Sequence, residues 1–209
     1  RPKATAAPYA HGNRDPLSRA QELIYQAWDI DNGFKRVSLA RKALAISADC
    51  AGAYTVLARE SVPLPQALDY YRQAVAAGER ALGKEIFQRE AGHFWGIIET
   101  RPYMRARAGL AQSLWDSGCH DEALAHWHEL LRLNDDDNQG IRYLLAARLL
   151  ELGRDRELAL LLQRHEDDGR AFLIWARALL LFRLQGDHAR SCQALSEALD
   201  SNPHLPAWP

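Results

Sequence analysis

The sequence is poor in the residues that staple or metallate small proteins. Its 209 residues include three cysteines, Cys50, Cys119 and Cys192, far apart and without a C-x-x-C pair. That spacing excludes a disulfide framework and a zinc knuckle. Isolated thiols of this kind are expected to pack as small hydrophobes in a reducing compartment. Charge of one sign is also lacking: 26 Lys and Arg stand against 27 Asp and Glu, a net charge of -1. Such a balance gives no electrostatic ground for nucleic acid or an anionic membrane as the general partner. The one local exception is 101–107, which holds Arg101, Arg105 and Arg107. Long apolar runs are missing too. The longest, 171–182, is interrupted by Arg177 and too short to cross a bilayer. With no signal peptide pattern either, the expected location is cytoplasmic.

Catalytic and ligand-binding signatures are absent as well. There is no G-x-S-x-G elbow, no P-loop and no G-x-G-x-x-G. Cys119-His120 is a turn dipeptide rather than a nucleophile with its base. His120, His126 and His128 crowd one stretch, but residues two apart point to different sides of a helix. The acidic run at 134–139 lacks the calcium-loop pattern, because Gly140 is out of place and no Glu follows correctly. Helix capping by Asp137 or Asn138 is the better account of it. No enzyme activity, cofactor or metal is expected.

What the sequence does have is a period. Gly118, Gly153 and Gly186 lie 35 and 33 residues apart, each between two amphipathic runs. Before each glycine the apolar residues recur in phase: Leu110 with Ala111, Leu145 with Ala146, Ala178 with Leu179, then Leu114, Leu149 and Phe182. Nine residues after each comes Trp127, Leu162 or Leu195. Spacings of three, four and seven put each set on one helical face, able to pack against a partner helix. Trp175 is expected to fill a core site of the last unit. Upstream, 17–27 with 37–46 and 54–58 with 67–74 read as two further pairs, and Pro63 and Pro65 end the helix before them.

The stretch W-A-R-A-L-L-L-F-R-L-Q-G-D at 175–187, closed by A-L-D-S-N-P ending at Pro203, resembles a tetratricopeptide repeat. The units around Gly118 and Gly153 keep its period with Arg107 and Arg142 in place of the opening Trp. The fold expected is all-α, a right-handed α-solenoid of about five TPR-like helical hairpins. Single repeats cannot bury both faces, so one stack is expected over 16–201, with a junction segment at 78–102. A flexible leader over 1–15 and a tail over 202–209 would flank it. G-H-F-W-G-I-I-E-T-R-P-Y-M-R-A-R at 92–107 and L-N-D-D-D-N-Q-G-I-R-Y at 133–143 resemble a group of bacterial TPR proteins. These are distantly similar to the suppressor of tumorigenicity seven family. The resemblance implies a repeat scaffold and supplies no activity.

Scaffolds of this type take a protein or peptide partner on the first helices of successive repeats. The lysine and asparagine clamp used by chaperone-tail binders is missing here, since Thr55, Arg59, Ala108 and Gln112 occupy the comparable places. Candidate contact residues in the junction are Trp95, Glu99, Arg101, Tyr103 and Arg105, aromatics beside charge as in binding hot spots. Gln112 and Asp116 follow on the same helix, and Asn138, Gln139 and Tyr143 on the next unit. A second reading of the junction makes His93, Phe94, Trp95 and Ile97 a core wedge; both stand at this point. An alternative function is a homodimer formed through Leu173, Leu180 and Leu184, with Trp208 beyond.

Overall fold

The computed structural model describes residues 15–61 and 63–204. These contain eleven α-helices and two short 3-10 turns, and no strand among the described residues. The chain divides into two compact units after Asn134. The expected leader lies outside the described residues except for Asp15, as do Val62 and Trp208.

The first unit holds α1 (Pro16–Trp28), α2 (Gly33–Ile46), α3 (Ala51–Arg59), α4 (Leu64–Leu82), α5 (Ile86–Arg89), α6 (Arg101–Asp116) and α7 (His120–Leu133). The 3-10 turns Phe94–Gly96 and Ile98–Thr100 lead into α6. The second unit holds α8 (Ile141–Leu152), α9 (Asp155–Arg164), α10 (Ala171–Gln185) and α11 (Ala189–Ser201). Ten of these helices form the five expected pairs. Each begins and ends where local chemistry dictates. The Asp15 carboxylate accepts from the Ser18 amide at 2.9 Å, and Pro16 opens α1. Asn32 does the same for α2 through the Lys35 amide at 3.1 Å. Gly118, Gly153 and Gly186 sit at φ of 82°, 67° and 65°, a region closed to most side chains, which is why they mark the repeat.

Within a unit, the first helix of one pair lies against both helices of the pair before it: α3 on α1 and α2, α6 on α3 and α4, α10 on α8 and α9. The cores are therefore built at successive three-helix contacts. Around α1–α3 the core is made of small residues, Ala20, Ala40, Ala43, Cys50 and Ala53, with Ile24, Val56 and Leu57. Around α6 and α7 it is large: Trp127, Tyr103, Phe94, Met104, Leu114 and Leu130 are all fully enclosed.

The junction resolves the two sequence readings by splitting between them. Gly83, at φ 72°, ends α4 where a longer helix to residue 90 was expected. Phe94 is buried against Phe87 and Tyr103, at ring distances of 5.2 and 6.3 Å, so it is a wedge. The Thr100 hydroxyl, also buried, donates to the carbonyls of Ile97, at 2.8 Å, and of Phe94. Trp95, one residue on from Phe94, is left half-exposed. Gly78 is no weak point in α4. A Cβ there would stand 3.0 Å from the Tyr103 ring, so the position is small to admit that residue.

Three expectations about burial change. Cys50 is buried, but Cys119 and Cys192 are exposed. Trp175 is only half-buried, packed beside Ala178, Ala194 and Ala198. Leu173 and Leu180 point inward rather than out, while Leu179, Phe182, Leu195 and Leu199 are exposed. The equivalents in the preceding pair, Ala146, Leu149 and Leu162, are buried, and α10 is the helix packed on that pair. In the last pair the same face has no following helix among the described residues.

Candidate functional site

In the first unit, α1, α3 and α6 present their outward residues on one face. On α1 the spacing Gln21, Tyr25, Trp28 follows one helical stripe, and Tyr25 and Trp28 are 45% and 41% exposed. On α3 the stripe gives Thr55 and Arg59, and on α6 Arg101 and Arg105. These residues interleave. The Arg59 guanidinium lies 5.1 Å from the Trp28 ring centre. Arg105 lies between two indoles, 5.5 Å from Trp28 and 5.5 Å from Trp95. Arg101 covers Trp95 at 5.5 Å and its Nε donates to the Trp95 carbonyl at 2.9 Å. A small cleft beside them is lined by Gln21, Trp28, Thr55, Pro102 and Arg105.

Stacking uses the face of a guanidinium and leaves its N–H edge free. Among the described residues, no carboxylate lies within ion-pair distance of Arg59, Arg101 or Arg105, whereas Arg36, Arg72, Arg80, Arg89 and Arg132 of the same unit each have one. Burial holds Arg105 below the ordinary guanidinium range. The nearby charges of Arg101 and Arg59 push the same way, and Tyr25 opposes them. Three like charges are thus held together, two of them against Trp28, with nothing of opposite sign to settle them.

The residues singled out in the sequence fall into three groups. Trp95, Arg101 and Arg105 meet on this face, and Glu99 is exposed one turn before α6. Tyr103 does not join them. It is buried, its ring 5.0 Å from Phe87, and its hydroxyl accepts from Arg107. Gln112 and Asp116 lie two and more turns along α6 and bond to each other at 2.8 Å. Asn138, Gln139 and Tyr143 belong to the second unit. There the expected cap is Asp137, whose buried carboxylate accepts from the amides of Ile141 at 2.7 Å and Arg142 at 2.9 Å. Tyr143 donates to Asp168 at 2.6 Å and stacks under Arg142 and Arg170, so it braces the loop before α10. Sequence reasoning missed Tyr25 and Trp28 altogether and met Arg59 only as a failed clamp. The signal was present as the i, i+4, i+7 stripe of α1, but nothing in a linear reading ties it to residues 70 positions later.

Comparison with known proteins agrees with the helix pairs. The solved structure of YrrB, a TPR protein with an unusual peptide-binding site, superposes with a TM-score of 0.59 at 18% identity, covering 92% of this chain and 88% of that one. The chain is a tetratricopeptide-like helical repeat protein. A family model described as ST7 protein matches residues 8–93. The suppressor of tumorigenicity 7 protein-like of Gallus gallus is 24% identical over 93% of this chain. This protein is related to the ST7 proteins, and it spans 39% of the length of that relative. Among the described residues no helix is long and apolar enough to cross a membrane.

Proposed function

We propose that the chain is a non-enzymatic interaction scaffold that holds a peptide or protein segment on the face made by α1, α3 and α6. The carrying observation is the interleaved set Trp28, Arg59, Arg105, Trp95 and Arg101. Tryptophan and arginine dominate binding hot spots because they bury large area while losing few rotamers. Here packing already fixes the rings, which lowers the entropy lost when a partner docks. The peptide-binding site of YrrB supports the same use of the fold. Replacing Arg101 and Arg105 together by Ala is expected to weaken capture of partner proteins by about tenfold or more. The melting temperature should stay close to wild type, because neither guanidinium has an ion pair to lose. Affinity capture with quantitative recovery checks this. Recovery equal to wild type from a folded double variant rejects the face.

A second reading has its own observation. Leu179, Phe182, Leu195 and Leu199 are 52%, 60%, 44% and 39% exposed at positions that the repeat uses for contact between pairs. Two copies pairing there would form a homodimer closed by a two-fold axis. Sedimentation should then show mass rising with concentration, and Phe182→Glu should hold the chain monomeric. A strict monomer at high concentration removes this reading.

A further inference from the structure

We infer that the segment held on the α1–α3–α6 face is acidic, with Asp or Glu carboxylates seated on the free edges of Arg59, Arg101 and Arg105. This deepens the proposed function and rests on it. The argument begins with what the three guanidinium groups lack. Ten other arginines among the described residues have a carboxylate within 4 Å, from Arg36 through Arg183. The three on this face have none there and are drawn together instead. Unpaired like charges repel one another, and the repulsion grows as water is excluded. An anion arriving at the face relieves it and gains charge-assisted hydrogen bonds at the same time.

Geometry adds selectivity. Trp28 and Trp95 occupy the π faces of Arg105, and the same two rings support Arg59 and Arg101. Held flat in this way, a guanidinium points its N–H pairs outward in the fork that matches a carboxylate bidentately. Arg101 spends its Nε on the Trp95 carbonyl, so its terminal nitrogens remain for a ligand. Arg59 and Arg105 have the whole fork free of hydrogen bonds among the described residues. The indoles flanking the arginines offer apolar contact beside each charge. An acidic segment with intervening apolar residues fits both parts.

Nucleic acid would also bring anions and stacking bases. It needs a basic track that follows a backbone over several nucleotides, and the face turns neutral and then acidic along α6 at Gln112 and Asp116. Protein carboxylates are therefore the favoured source.

The experiment is selection of 12-residue peptides from a displayed random library on the intact chain, followed by fluorescence titration. The probes are one selected acidic peptide, its twin with Asn and Gln for Asp and Glu, its twin with phosphoserine at those positions, and a single-stranded DNA of ten thymines. Expected are selected sequences enriched in Asp and Glu, an amide twin at least tenfold weaker, and affinity that falls as salt rises. Arg59→Gln and Arg105→Gln should each lose about tenfold against the acidic peptide while melting like wild type. If the phosphoserine twin binds more than tenfold tighter than the carboxylate peptide, the source is phosphate and the carboxylate inference is overturned. Selected peptides without acidic enrichment, bound equally by the amide twin, overturn it while leaving the scaffold reading intact. Tight binding of the DNA alone overturns it in favour of nucleic acid. Recovery of no peptide at all removes both the inference and the reading beneath it.

Discussion

Trp127→Ala is expected to cost about 3–5 kcal/mol and to produce the largest drop in melting temperature of any single truncation in the first unit. Trp127 is fully enclosed on α7, its ring centre 5.7 Å from that of Trp115. Trp115 is in turn covered by the His120 ring at 4.2 Å. Removing the indole therefore opens a cavity between α6 and α7 whose walls are large, fixed side chains with little freedom to collapse. The indole nitrogen has no hydrogen-bond acceptor among the described residues. Trp127→Phe should consequently cost much less, because it keeps most of the ring and deletes a buried donor that gains nothing. Urea denaturation of both variants tests the ordering. A Trp127→Ala midpoint within error of wild type would mean that the nine-residue offset from Gly118 does not mark a core position.

That offset shows how far the sequence could be read. The glycines report helix ends directly, because a left-handed φ is a property of one residue and its neighbours. Five pairs followed from them and from the apolar stripes. The stripe says which side of a helix seeks cover, and it does not say whether cover is present. Leu149 and Phe182 hold the same place in the repeat; the first is buried because α10 lies over its pair, and the second is exposed. Trp175 was read as the core tryptophan for the same reason and is half-buried, while Trp127 is enclosed.

The candidate face was legible only in part. Trp95, Arg101 and Arg105 stood out because aromatic and charged residues crowd ten positions of chain. Their counterparts Trp28 and Arg59 are brought to them by the packing of α6 on α3 and of α3 on α1, a long-range fact with no local mark. Tyr103 shares the same crowded stretch and yet lies in the core, since the helical turn carries it to the opposite side of α6 from Arg101 and Arg105. Composition found the neighbourhood, and only the helix contacts sorted face from core.

Those contacts rest on an interlock between α4 and α6 that supports the second large prediction. The two helices cross with Tyr71 over Gly109 and Tyr103 over Gly78, each ring occupying the space that a side chain would take. A Cβ on Gly109 would stand 2.1 Å from Cε1 and 2.4 Å from Cζ of Tyr71, well inside contact distance. Alanine is the better helix former by roughly 1 kcal/mol, so Gly109→Ala would stabilise an isolated α6. In the folded unit the clash should outweigh that gain and leave a net loss of about 1–3 kcal/mol, as overpacking of a close contact does. The sign should then reverse when the ring is removed. In a Tyr71→Ala background, Gly109→Ala is expected to be neutral or stabilising, giving a coupling of at least about 1 kcal/mol across the double-mutant cycle. Urea midpoints of the four proteins measure it. Strict additivity would show that α4 and α6 do not approach closely at Gly109, and would undo the placement of Arg101 and Arg105 that the proposed face depends on.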